Sequence, residues 1–216
     1  DPALIWYNPA GTAFLGDFSA TAMGLMALGF TDFEAAADGN TYSTKSKVYW
    51  LPRVFVDAAI TDWMHAGLGF YTAYGTGTKY EDDWIGRVNA ISAEMTTVSF
   101  NPSFSFKLNP QLSLGVGFVA MKASAELVNG LPEPIGGKVQ FGGEGWAFGG
   151  TAGVTYRAIP NMLDFGLSYR SRMALPLDGK VNFQPSPEFE RVLLDQAGST
   201  EINTPDYITL GVGYSP

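Results

Sequence analysis

Leu112-Ser113-Leu114-Gly115-Val116-Gly117-Phe118 sets a large apolar residue at every even position and Ser or Gly at every odd one. A period of two is that of a β-strand, whose successive side chains point to opposite faces. The split recurs from Trp146, where Trp146, Phe148, Ala152, Val154 and Tyr156 oppose Ala147, Gly149, Thr151, Gly153, Thr155 and Arg157. A soluble sandwich strand carries charged and polar residues on its wet face, whereas this second face is mostly Gly, Ala, Ser and Thr. Such strands suit a barrel that turns its apolar side to lipid and its small side inward.

Composition points the same way without deciding it. Charged residues make up 16% of the 216 and aromatics 14%, with 26 Gly; soluble domains average roughly 25% charged. A Gly-rich soluble β-sandwich satisfies these figures too. The net charge of −8, with no basic cluster, excludes a nucleic-acid partner. The absence of Cys removes disulfide frameworks, thiolate metal sites and cysteine nucleophiles. No run approaches the roughly 18 apolar residues of a membrane helix, so a membrane span would have to be closed β-structure. The sequence opens at Asp1 without Met or a leader and stops at Pro216 directly after a strand, which leads us to expect part of a larger barrel.

Eight strands are predicted, at Phe18 to Phe30, Lys47 to Ile60, His65 to Gly75, Ile91 to Leu108, Leu112 to Ala123, Gly145 to Ala158, Met162 to Leu175 and Asn203 to Tyr214. Most match or exceed the roughly 9 to 11 residues that cross a bilayer at a tilt. Short connections at Thr61 to Met64, Asn109 to Gln111 and Ile159 to Asn161 alternate with long polar ones near Thr31 to Ser46, Thr76 to Ala90, Ser124 to Glu144 and Asp178 to Ile202. Up-and-down membrane barrels alternate in this way; a Greek-key sandwich has no reason to. Val98, Phe100, Phe104, Phe106 and Leu108 oppose Ser99, Ser103, Ser105 and Lys107, while Leu163, Phe165, Leu167 and Tyr169 oppose Asp164, Gly166, Ser168, Arg170 and Arg172. Every charge among these residues lies on the small-residue face, as the cost of about 2 to 4 kcal/mol for a lipid-facing Arg or Lys requires. Met23 and Leu25 interrupt the alternation of the first strand.

Several stretches carry a family resemblance. Ile5-Trp6-Tyr7-Asn8-Pro9-Ala10-Gly11 precedes the first strand, followed in order by Ala73-Tyr74-Gly75, Asn101-Pro102-Ser103, the Leu112 to Phe118 stretch, Gly145-Trp146-Ala147-Phe148-Gly149 and Ser168-Tyr169-Arg170-Ser171. In order and spacing they resemble the FadL-type transporters of the bacterial outer membrane, which carry long-chain fatty acids or aromatic hydrocarbons. The resemblance implies an all-β fold, an antiparallel up-and-down transmembrane β-barrel of 14 strands. Residues 1–16 would be the end of an N-terminal plug and residues 17–216 about the first eight strands. It implies a monomer in contact with outer-membrane lipid and lipopolysaccharide, and a hydrophobic small-molecule ligand leaving sideways through a kink in the third strand.

For that gate the matching positions are Asn8, Pro9, Ala10, Tyr74 and Gly75; a strand end followed by a loop is the plainer alternative. Phe189, Val192 and Leu193 fall at helical spacing within Glu188 to Asp195, and with Leu127, Val128 and Leu131 they offer a groove for ligand capture. Packing of the loops on one another explains them equally well. Arg157, Arg170 and Arg172 are expected to project into the lumen, either steering a carboxylate or pairing with Asp164, Glu144 or Glu94.

Catalysis finds little support. The one histidine, His65, stands at the start of a strand with no serine at supporting spacing and is expected at the surface. Glu81, Asp82 and Asp83 lack the spacing of a calcium loop. The sequence therefore points to a transporter without enzymatic activity, cofactor or metal. Its rivals are a general porin, whose lumen should carry many charges, and a soluble β-sandwich binding module.

Overall fold

The computed structural model describes residues 1–160 and 162–215; the third short connection therefore ends on a residue, Asn161, outside the described ones, as does Pro216. A short helix α1 (Leu4–Tyr7) and a 3-10 turn (Pro9–Phe14) come first. The strands β1 (Phe18–Gly29), β2 (Asp32–Glu34), β3 (Thr41–Ser43), β4 (Lys47–Thr61), β5 (Met64–Tyr71), β6 (Gly75–Lys79) and β7 (Ser92–Lys107) follow. Then come β8 (Leu112–Gly130), β9 (Gly137–Ile159), β10 (Leu163–Arg170), β11 (Met173–Pro185), β12 (Gln196–Thr204) and β13 (Tyr207–Tyr214).

One curled sheet runs in the order β1-β4-β5-β7-β8-β9-β10-β13, with β6 continuing on β7, β11 on β9 and β12 on β11. All its pairs are antiparallel, and β2–β3 forms a separate hairpin. The fold is thus all-β, part of an up-and-down barrel, with β1 at one edge, β12 and β13 at the other, and β6 paired on one side only among the described residues. A barrel needs both edges joined before its backbone groups are satisfied.

The faces separate as the alternation requires. Leu114, Val116, Phe118, Phe100, Phe104, Phe148 and Leu167 are exposed on the outside, while Ser99, Ser103, Ser105 and Ser113 are buried on the inside. The strands outrun the prediction, however. Most of the long connection expected at Ser124 to Glu144 is a hairpin whose turn occupies only residues 131–136. At a rise of about 3.3 Å per residue the 19 residues of β8 extend roughly 60 Å, well beyond an apolar band about 25 Å tall.

Past Phe118 the faces of β8 exchange character. Lys122, Ser124 and Glu126 now point out, and Val119, Met121, Ala123 and Ala125 point in. These four pack with Ala147, Met173, Leu175 and Leu177, against which Tyr74, Met95 and Phe141 also rest. The interior is therefore polar and small-sided near the short turns and apolar near the long connections. Met23 and Leu25 fit this division, because they pair with Arg53 and Leu51 on the inward side of β4.

Candidate functional site

The small-residue face is a seat. The N-terminal segment lies on it, and Cβ atoms would fill the space that its backbone and side chains occupy. A Cβ on Gly115 would fall 2.6 Å from the Cα of Ala10, one on Gly67 2.7 Å from Cδ1 of Ile5, and one on Gly153 3.0 Å from Cγ of Asn8. Ile5 and Ala10 are wholly buried there.

Side chains of the wall then satisfy the backbone groups of the segment. Ser113 Oγ donates to Ala10 O at 2.7 Å, Ser168 Oγ to Tyr7 O at 2.8 Å, and Arg170 to Trp6 O at 2.9 Å. Asn8 caps the 3-10 turn by accepting from Ala10 N at 3.1 Å, and its Nδ2 donates to Val154 O at 3.0 Å. The Thr12 and Ser105 hydroxyls lie 2.8 Å apart. Buried polar groups need such partners, which is why the wall offers Ser where a dry barrel interior would offer Val or Leu.

The third predicted strand is broken. β5 stops at Tyr71 and β6 starts at Gly75, so Thr72, Ala73 and Tyr74 oppose only Thr97 and Val98 of β7. Thr97 clamps the bulge: Tyr74 N donates to its Oγ1 at 2.9 Å, and Thr97 N donates to Tyr74 O at 3.1 Å. Such an extra residue bends the strand and interrupts its ladder. On the other side, β4 pairs with β5 only from Arg53 onward, so its residues 47–51 have strand partners on β1 alone among the described residues.

Of the five positions proposed for a gate, Pro9 and Tyr74 line one cavity of about 390 Å3, together with Trp6, Thr151, Ser168 and Arg170. Asn8 and Ala10 instead sit against β8 and β9, and Gly75 lies beyond the bulge, where its added Cβ would be 3.6 Å from Leu51. A second cavity, of about 310 Å3, opens on the apolar interior between Ala93, Met95, Ala125, Leu127, Leu177 and Ile202.

Leu127 is the one member of the proposed capture groove that lines this second cavity. Val128 borders a polar cavity beside Lys138 and Gln140, and Leu131 begins the turn between β8 and β9. Phe189, Val192 and Leu193 occupy hydrogen-bonded turns rather than the expected helix, and Val192 is 74% exposed. A helix this short gains too few bonds to repay its nucleation.

The long-connection end is held by aromatic and charged contacts. Trp84 stacks on Tyr80 at 4.0 Å, meets Phe33 and Tyr42 edge-on, and donates to Ala90 O at 2.8 Å. Lys45 pairs with Glu81 and Lys138 with Asp82. Lys138 holds the Asp82 carboxyl below the usual carboxylate range, chiefly through its hydrogen bond, and Glu81 raises the Lys45 ammonium in the same way.

Plug seat, interrupted third strand and outward apolar wall are together the features that the sequence resemblance leads one to look for. The family model described as "Outer membrane protein transport protein (OMPP1/FadL/TodX)" matches residues 1–215. The chain belongs to this family. It is 24% identical over 192 residues to a long-chain fatty acid transport protein of Escherichia coli O6:H1, covering 73% of this chain and 43% of that protein. The corresponding protein of Salmonella typhi is 27% identical over 153 residues, which are 62% of this chain and 35% of that one. Among solved structures, a Pseudomonas aeruginosa FadL homologue superposes with a TM-score of 0.83 at 18% identity, over 100% of this chain and 61% of that one. The Ralstonia pickettii toluene transporter TbuX does so with a TM-score of 0.76 at 17% identity, over 100% and 63%. The chain thus spans less than half the length of these fatty acid transport proteins and about three fifths of the solved barrels.

As a FadL-type protein the chain is located in the bacterial outer membrane, and its outward Phe, Leu and Val meet lipid. Two sequence expectations need correction within that frame. His65 is not at the surface: it is 4% exposed and hydrogen-bonded at 2.8 Å to Asp57, which is itself buried. The signal was the inward phase of Asp57 on β4, since Asp57 pairs with Gly67 and His65 is the diagonal neighbour on the same face. Arg172 is not in the lumen. Arg170 and Met173 both face inward across the break at Ser171–Arg172, which resets the alternation and leaves Arg172 exposed.

The two remaining arginines are committed to the segment they hold. The Arg170 guanidinium lies 4.0 Å from the Trp6 ring centre and also donates to Tyr71 Oη at 3.3 Å. Arg157 lies 4.0 Å from the ring centre of Phe14, with Asp164 at 3.8 Å. Both stack as cations on aromatic faces and serve the seat more directly than a ligand carboxylate.

Proposed function

We propose that the protein carries hydrophobic small molecules, long-chain fatty acids or aromatic and aliphatic hydrocarbons, passively across the outer membrane. The observation that carries this reading is the change of the interior along its height. An apolar molecule taken in at the long-connection end meets Met95, Leu127, Leu177 and Ile202, which line the second cavity. Deeper down it meets Ser and Gly already covered by the N-terminal segment. Continuing straight down would mean leaving apolar surroundings for polar ones, while the broken third strand beside Tyr74 offers a sideways route into the bilayer. Binding comes from buried apolar area, at about 25 cal/mol per Å2 before association costs.

The reading includes a monomeric barrel in contact with lipid and lipopolysaccharide, capture at the long-connection end and release through the β5–β6 break. No side-chain constellation used here performs covalent chemistry; the groups named bind, shape and close. The printed names of relatives include both fatty acid and toluene transporters, and hydrophobic pockets discriminate between such ligands only weakly. Uptake of radiolabelled oleate and of toluene by cells that express the full-length gene and lack other transporters of this type tests it. Gly75→Val, which crowds Leu51 at the break, should lower uptake while the barrel keeps its heat-modifiable migration in gels. Uptake equal to that of cells without the gene would refute transport, and unchanged uptake in Gly75→Val would refute release at the break.

A further inference from the structure

At the break the wall does not simply gape; its two sides overlap. Lys47, Tyr49 and Leu51 occupy inward positions of β4, in phase with the buried Phe55 and Asp57. Gly75 and Gly77 of β6 pair with Thr96 and Glu94, in phase with the outward Val98 and Phe100 of β7. Yet these inward and outward faces touch each other. A Cβ on Gly77 would fall 2.6 Å from Tyr49 Cζ, one on Gly75 3.6 Å from Leu51 Cδ2, and one on the inward side of Gly29 3.9 Å from Gly77 O. The tip of the β1–β4 hairpin therefore lies on the outer side of β6, with Tyr49 and Leu51 laid across its glycines.

The overlap is lightly fastened. Among the described residues, Thr72 N donates to Pro52 O at 3.3 Å at its lower end and Lys45 N to Lys79 O at 2.7 Å at its upper end. Lys47 reaches across β6 to Glu94 at 2.5 Å, an ion pair still open to water. Between these points no strand pairing joins β4 to β6. The tip is instead paired with β1 from Gly29↔Lys47 downward.

We propose that the tip of β4 is the movable leaf of the sideways exit, with Tyr49 as the bar across the opening, Leu51 as its apolar neighbour and Lys47–Glu94 as the latch. The inference rests on the sideways-release reading of the break. Opening pivots at the Thr72–Pro52 bond and releases Lys47–Glu94 and the Lys45 N to Lys79 O bond, together with Lys45–Glu81 and the edge contacts of Phe33 and Tyr42 with Trp84, with no β4–β6 ladder to unzip. The size of the ligand that leaves is then set by the ring of Tyr49, because Gly75 and Gly77 offer no side chains of their own.

Uptake of oleate and toluene by cells carrying the full-length protein, checked for folding by heat-modifiable migration, separates the two ideas. Tyr49→Ala should speed uptake about fivefold, the factor that a barrier lower by roughly 1 kcal/mol produces, with the larger gain for oleate, and Tyr49→Phe should stay at the parent rate. Because this stretch contains no Cys, Lys47→Cys with Glu94→Cys can be bridged by a short bis-maleimide, which should stop uptake, while the same double variant left unbridged keeps transporting. If the bridged protein still transports, the leaf need not move and the proposal is overturned, while release at the break is decided separately by Gly75→Val. If bridging stops uptake but folded Tyr49→Ala is unchanged or slower, release at the break stands and the role given to Tyr49 is overturned.

Discussion

Replacing Gly115 by Ala tests the seat at its tightest point. The new Cβ falls 2.6 Å from the Cα of Ala10, a backbone atom that cannot rotate away, so the N-terminal segment must lift. Overpacking of this kind costs about 1 to 3 kcal/mol. Lifting also breaks the 2.7 Å bond from Ser113 to Ala10 O, worth about 1 kcal/mol. Docking should weaken by about 2 to 4 kcal/mol, or roughly 30- to 700-fold at 1.4 kcal/mol per factor of ten. Hydrogen exchange on the full-length protein in detergent reads this directly, since the amides of residues 4–14 exchange when the segment opens locally. Gly24→Ala is the control, because a Cβ there meets nothing within 4 Å. Faster exchange in residues 4–14 of Gly115→Ala, with β7 and β8 still protected, is the expected result. Unchanged protection of the segment would show that the small wall residues are not its seat.

Three further outcomes follow from contacts described above. His65→Ala strands the wholly buried Asp57 carboxylate and should destabilise the barrel by about 3 to 5 kcal/mol, lowering the temperature of its heat-modifiable transition; Asp57→Leu with His65→Leu should restore much of it. Asp82 is held below the ordinary carboxylate value by Lys138, so its contribution is complete above about pH 3.9 and is lost as pH falls through the lower folded value. Being exposed, the pair is worth under about 1 kcal/mol, and Lys138→Met should abolish only that small acid-range rise in amide exchange around residues 80–91. Trp84→Ala removes the ring that joins Tyr80, Phe33 and Tyr42 and should expose the β2–β3 hairpin to limited proteolysis while the barrel strands stay resistant.

Much of the wall was legible because lipid and interior impose opposite demands on alternate residues. Leu114, Val116 and Phe118 announced their side, as did the serines of β7. The upper strands were not legible for the same reason: above the apolar band the outside is wet, so Ser124, Glu126 and Glu144 on strands resemble a loop. The purpose of the small residues was hidden as well, since a glycine records a missing volume but not what fills it. Asn8, Pro9 and Ala10 matched a family pattern, yet only the fold brings them to Gly115 and Gly153, more than a hundred positions along the chain. Arg172 was misread because a single break at Ser171 shifts every later residue to the opposite face.

The overlap at the third strand and the glycine seat differ in how they bind the future of the chain. A seat that fits its occupant without a methyl group to spare ties the first sixteen residues to positions scattered over β5, β8 and β9. Neither partner can drift alone: a bulkier Ile5 requires room at Gly67, and a wall that gains a side chain at Gly115 requires a segment that runs higher. Grafting the N-terminal segment of a relative onto this wall should therefore fail unless Gly67, Gly115 and Gly153 travel with it, so the inheritable unit is the matched pair.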